Sequence, residues 1–245
     1  MKKIKNIILD NFKTLFYALL IAIIIRSLLI QPFYIPSSSM EPTLLVGDRI
    51  FVTKYTYGYS RHSFPFSPPV LKNRIFFKEP SRGDLVVFKT PADNRTDYIK
   101  RLIGLPGDEV YFKNGEIFIN EKKIFRRLAK VDYEVRCGAY KFKVQTYEET
   151  LDNNLKYFTA YNADGTFLNS DKYIVPKKHY FLLGDNRDCS KDSRFINSVG
   201  FVNEKNLVGK ARIIFFSNDT LKNSVFKLWN WGDSFRFERI MKIIK

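Results

Sequence analysis

Histidine is nearly absent from this 245-residue chain, which has only His62 and His179. Most serine hydrolases rely on a histidine base, so a nucleophilic serine here would need another proton acceptor. Cysteine is equally rare. Cys137 and Cys189 stand far apart, in no metal-ligand pattern, and nothing in their spacing argues for a disulfide, so none is expected. Zinc-finger spacings and RNA-binding signatures are missing too, although the net charge is +16 and the pI about 9.7. Such a basic excess attracts polyanions, either nucleic acid or the anionic surface of a membrane. The Lys and Arg residues are scattered rather than clustered, so a lipid bilayer is the expected partner and nucleic acid is not. Beyond residue 30 there is no long amphipathic helix and no internal repeat. Disorder is excluded by composition, since 45% of the residues are hydrophobic and 16% aromatic. The length suits one good-sized domain, or a core domain carrying an insertion.

What is present begins at the N-terminus. Residues 15–30, LFYALLIAIIIRSLLI, form an apolar run preceded by Lys2, Lys3, Lys5 and Lys13. A spanning helix wants about 20 apolar residues, so the run is short. Arg26 interrupts it near the end that meets Pro32, where a long side chain can snorkel to the headgroups. Two readings stay open. One is an uncleaved anchor over 15–31; the other is a secretory signal in which Ser37 and Ser39 form a small-x-small cleavage site. Arg26 and the bulky QPFYIP favour the anchor. The N-terminal lysines then put residues 1–14 in the cytoplasm and everything after Gln31 outside.

Beyond residue 44 the pattern is β-rich. DRIFVTKY (48–55), DLVVFKTP (84–91) and DYIKRLIG (97–104) are short strand-like runs bounded by Gly, Pro and Asp. In DEVYFKNGEIFIN (108–120), Asn114-Gly115 lies between two alternating runs and signals a hairpin, because both residues tolerate positive φ. YFLLGDN (180–186) and ARIIFFS (211–217) add two more strands. Residues 121–179 are polar and less regular, and read as an insertion between core strands. Residues 57–80 interleave aromatic, proline and basic residues, as a long surface loop or a loop dipping toward a bilayer.

Four stretches occur in order: IPSSSMEPTLLVGD (35–48), RGDLVVFK (82–89), DYIKRLIGLPGD (97–108) and GDNRDCSKDSR (184–194), continued by GFVNEKNLVGKA (200–211). Together they resemble the type I signal peptidases (peptidase family S26), membrane-bound enzymes that remove signal peptides from exported proteins. The resemblance implies a mainly β fold: a signal-peptidase-like β catalytic domain over 32–120 and 180–217, with an inserted β-rich subdomain over 121–179. A C-terminal tail (218–245) and one N-terminal transmembrane helix complete it. It also implies a serine endopeptidase without metal or cofactor, acting on the signal peptides of exported preproteins and cutting after small residues of the Ala-x-Ala type. Its place would be the plasma (inner) membrane, with the catalytic domain on the external side.

The residues make chemical sense of this. A serine hydroxyl is a poor nucleophile until a base takes its proton, and a lysine can serve if the site keeps it neutral. In YIKRLI, Lys100 and Arg101 are neighbours on a strand and point to opposite faces. Arginine does not give up its proton, so Lys100 is the candidate for the inward position; the alternative is two solvated cations on an edge strand. The family pattern puts the nucleophile at Ser39, a supporting oxyanion hydroxyl at Ser37, and leaves Ser38 as a spacer. By the same pattern Ser190 orients the lysine, Asp192 and Arg194 form a supporting ion pair, and Phe33, Ile35, Met40, Leu44, Val87, Tyr98 and Ile99 line substrate subsites. Cys189 departs from the pattern and is expected as a thiol near the site. Three rival readings carry less. They are an S-x-x-K acyl enzyme built on SVFK (224–227), a non-enzymatic membrane-anchored adaptor, and a soluble self-cleaving repressor of the same clan.

Overall fold

The computed structural model describes residues 2–138, 140–162, 168–219 and 234–244. It opens with helix α1 (Lys2–Ile24), continued by one π-helical turn, Ile25–Leu29. The stretch long and apolar enough to cross a membrane is Leu9–Leu29, which starts earlier and ends sooner than the expected 15–31. At its start, Asp10 and Lys13 pair at 3.8 Å within the helix, so they do not end it. At its end, Ile30 and Gln31 have already left the helix for the first strand.

Fifteen strands follow among the described residues. They are β1 (Ile30–Tyr34), β2 (Asp48–Thr53), β3 (Leu85–Lys89), β4 (Asp97–Gly104), β5 (Glu109–Lys113), β6 (Glu116–Ile119), β7 (Lys122–Lys123) and β8 (Phe125–Cys137). The remainder are β9 (Tyr140–Thr150), β10 (Lys156–Asn162), β11 (Tyr173–Ile174), β12 (His179–Leu183), β13 (Val202–Asn203), β14 (Leu207–Ser217) and β15 (Lys242–Ile243). The main sheet runs β1-β2-β14-β3-β4-β12-β13, with β15 paired to β14. A smaller sheet, β11-β5-β6-β7, carries the Asn114-Gly115 hairpin, whose residues adopt φ of 52° and 71° as that turn requires.

Residues 121–179 are more regular than their composition suggests. Strands β8, β9 and β10 form an antiparallel three-stranded sheet. Most of β8 is exposed, so Lys, Arg and Glu occupy positions that a one-sided strand would give to apolar residues. Residues 57–80 form a folded loop. Its Arg74 donates to the carbonyls of Tyr57, Gly58, Glu204 and Leu207, which ties the loop to the main sheet. The final segment is docked as well: Arg239 pairs with the fully buried Asp48 at 2.6 Å. SVFK (224–227) lies outside the described residues.

Apolar clusters cover both faces of the main sheet. Ile35, Met40, Leu44, Ile50, Val52 and Val87 belong to one; Val86, Phe88, Leu102 and Leu182 belong to another. Because both faces are covered, neither basic residue of β4 reaches solvent. Arg101 is fully buried and donates two bonds to Asp185, at 2.8 and 2.7 Å, and a third to the Gly83 carbonyl. Removing one partner of such a pair strands a buried charge. Asp185→Ala should therefore cost about 3–5 kcal/mol in urea unfolding of the detergent-solubilised protein, and the apolar double variant Arg101→Met/Asp185→Leu should cost less.

Candidate active site

The main sheet and the turn after β1 bring two distant residues together. Lys100 Nζ donates to Ser39 Oγ at 2.6 Å. On β4, Lys100 pairs with Val86 of β3, one residue away from Arg101 and on the opposite face. Ser39 sits in a turn held by bonds from Glu41 N to Ser38 O (3.0 Å) and from Leu44 N to Met40 O (2.9 Å). The loop after β12 fixes that turn from the other side. Asn186 donates its backbone N–H to Ser39 O and its side-chain amide to Ser38 O, each at 3.2 Å.

Lys100 is only 3% exposed, and burial lowers its pKa from 10.5 to about 8. The carboxylates of Asp192 and Asp185 oppose that shift, and Arg194 adds to it. Asp192 and Arg194 form a buried two-bond ion pair at 2.8 and 2.9 Å, and Asp192 also accepts from Gly184 N. Most of the Asp192 charge is thus answered by Arg194. Desolvation wins at the lysine.

Several of the other expected residues lie around this pair. Ser37 is exposed, with its Oγ 3.4 Å from Ser39 Oγ. No described acceptor takes the Ser39 N–H. Phe33, Ile35, Val87, Tyr98 and Ile99 line a cleft of about 440 Å³ that also contains Ser37, Ser39 and Lys100. Met40 and Leu44 do not line it. Both are fully buried within the apolar cluster whose members Ile35, Ile50 and Val87 form part of the cleft wall. Tyr34, Pro36, Thr96, Asp97 and Lys191 line the cleft without having been singled out.

Ser190 is buried, but its Oγ has no hydrogen-bond partner among the described residues, and the lysine bonds Ser39 instead. It lies against Gly184, where an added Cβ would sit 2.1 Å from Ser190 Oγ and 2.5 Å from Ser39 O. That close approach is why a glycine precedes Asp185. Ser38 is buried too, with its Oγ 3.6 Å from Cys189 Sγ.

Cys189 is not the free thiol expected. It forms a disulfide with Cys137 at the end of β8, with Cα atoms 5.6 Å apart. The two cysteines meet because the β8–β10 sheet folds back over the site: Ala160 of β10 bridges to Asn186, and Arg187 reaches Glu149 of β9 with two bonds of 2.7 Å. Neither contact has any local signature in the sequence.

The family model "Signal peptidase, peptidase S26" matches residues 8–216. The chain belongs to that family. The signal peptidase I of Rickettsia typhi is 40% identical to it, over 98% of this chain and 95% of its own. That of Rickettsia conorii is 42% identical, over 92% of this chain and 89% of its own. A crystal structure of a signal peptidase I from Enterococcus faecalis shares 27% identity with a TM-score of 0.32, covering 54% of this chain and 97% of that one. Membership makes this chain a peptidase, a hydrolase of the class that removes signal peptides.

For a peptidase of this family the disulfide has a direct readout. Thiol titration of the unfolded, unreduced protein should find no free thiol, and two after reduction. One or two thiols before reduction would mean that Cys137 and Cys189 are not joined.

Proposed function

We propose that this S26 peptidase is a membrane-anchored serine endopeptidase in which Ser39 is the nucleophile and Lys100 its general base. The observation that carries the reading is the 2.6 Å bond between a buried, pKa-lowered lysine and a serine at the wall of an open cleft. Neither histidine competes. His179 bonds the Lys177 carbonyl, and burial together with Arg61 holds the His62 pKa down at about 4.

In the acylation step Ser39 Oγ attacks the scissile carbonyl carbon while Lys100 takes the hydroxyl proton. The resulting oxyanion lies between the Ser39 N–H and the Ser37 hydroxyl. Lys100 then returns its proton to the departing amine, and the acyl–Ser39 ester is hydrolysed by water, with Lys100 again the base. Ser190 is proposed as the group that holds the lysine when Ser39 turns to substrate, since its hydroxyl is buried and has no hydrogen-bond partner among the described residues. A cleft walled by Val87, Ile99 and Tyr98 suits small apolar substrate residues, hence signal peptides of the Ala-x-Ala type. The lysines before Leu9 support a topology with the N-terminus of the spanning helix in the cytoplasm and the catalytic sheets on the external side of the plasma membrane.

Ser39→Ala should abolish cleavage of a preprotein with the fold intact, and Lys100→Arg should do the same, because it keeps the charge but cannot accept a proton. Ser37→Ala should slow turnover on the order of 10²–10³-fold, as loss of one oxyanion donor does. Ser38→Ala should be nearly silent, whereas the larger Ser38→Leu should not, given the burial of that side chain.

The pH profile should rise through about 8, because only the deprotonated Lys100 is competent and burial sets its pKa there. Glu41, raised to about 7 by burial, is the other buried group near Ser39 that titrates in this range. Glu41→Gln should leave the limb near 8 in place. A Lys100→Arg enzyme with ordinary turnover would end the Ser-Lys assignment.

A further inference from the structure

Beside the catalytic cleft lies a second pocket of about 520 Å³ that the peptidase chemistry does not use. It shares Phe33 and Asp97 with the cleft, and Arg26 and Gln31 connect it to the end of the apolar helix. Arg61, Lys89 and Arg95 add three more cations to its wall. The two acids there are already engaged. Asp93 accepts from the Thr90 and Thr96 hydroxyls and from the N–H groups of Arg95 and Thr96. Asp97 pairs with Lys89 at 2.9 Å. Arg26, Arg61 and Arg95 form no ion pair among the described residues; Arg61 only donates to the ring of His62. At the rim, Phe66 is completely exposed, with φ of 61° holding its backbone in the left-handed region.

Three guanidiniums without carboxylate partners make a receptor for phosphate, which they bind through paired N–H donors. The position of the pocket selects the source. It opens where the spanning helix ends, at the depth of lipid headgroups, and a wholly exposed phenylalanine beside a cationic pocket suits acyl chains below a headgroup. We propose that the pocket formed by Arg26, Arg61 and Arg95 binds the headgroup phosphate of an anionic phospholipid while Phe66 enters the acyl region. The folded 57–80 loop is then a second membrane contact beside the anchor. This inference rests on the reading of α1 as membrane-spanning.

The test uses the full chain in phosphatidylcholine nanodiscs doped with a photoreactive phosphatidylglycerol, with crosslinked residues mapped by mass spectrometry. Labelling should concentrate at residues 61–67 and 93–95. In Arg61→Gln/Arg95→Gln it should fall about tenfold with the loss of two phosphate-pairing side chains, and Arg61→Lys/Arg95→Lys should restore only part of it, because an ammonium keeps the charge without the paired donors. Detergent activity equal to that of the parent shows that each variant is folded. Inorganic phosphate in excess should leave the labelling in place. Equal labelling of parent and glutamine variant would overturn the proposal, and so would complete displacement by inorganic phosphate, which marks a free-phosphate site. A chain that failed to enter phosphatidylcholine nanodiscs would overturn the spanning reading together with this one. Entry without labelling contrast overturns the lipid site alone.

Discussion

Strand β4 carries two basic side chains into the interior on opposite faces, and each is accommodated by different chemistry. Arg101 cannot lose its proton, so its face must supply a carboxylate, and Asp185 does so with two hydrogen bonds. Lys100 can lose its proton, so its face needs only to exclude water. The nearby Asp192 would otherwise favour the ammonium form, but Arg194 answers that carboxylate. A single property of the strand, alternation, therefore separates a structural cation from a group able to act as a base. Exchanging the two residues would put an arginine against Ser39 and a lysine against Asp185, so the cation facing Ser39 could no longer lose its proton.

The other half of this arrangement is the loop after β12. Within 184–194 nearly every polar residue has a distinct anchoring duty. Asp185 holds Arg101, Asn186 holds the carbonyls of Ser38 and Ser39, Arg187 holds Glu149, and Asp192 holds Arg194. The Cys137–Cys189 disulfide joins the same loop to the far end of β8. The β8–β10 sheet thus braces the loop that positions the serine turn.

Features that depend on adjacent residues were legible in the sequence. The β4 span of 97–104, the Asn114-Gly115 turn and the opposed faces of Lys100 and Arg101 follow from two-residue periodicity and turn chemistry. Long-range pairings were not. The partner of Arg101 follows from the pairing of β4 with β12, and the bond between the two cysteines from the meeting of β8 with the loop after β12; no local pattern encodes either. A β-rich insertion over 121–179 follows from the family resemblance alone; its individual strands are not legible in the residues, because much of β8 and β9 is exposed, which erases the apolar alternation by which a strand is recognised. The family pattern implies Met40 and Leu44 at the substrate subsites, yet both side chains are fully buried in the core beneath the turn at 38–44.

The junction between helix and sheet decides where the cleft can work. There is no linker: the π-helical turn ends at Leu29 and β1 begins at Ile30. Carbonyls at that helix end, which would otherwise lack partners, are taken by the catalytic sheet and the neighbouring loop. Lys54 N donates to Leu29 O at 2.9 Å, and Tyr59 Oη donates to Leu28 O at 3.0 Å. Capping the helix with the sheet's own groups makes helix and β1 one continuous support, and β1 passes directly through Phe33 into the cleft that holds Ser39. If the helix spans a bilayer, the depth of the serine is set by the helix itself.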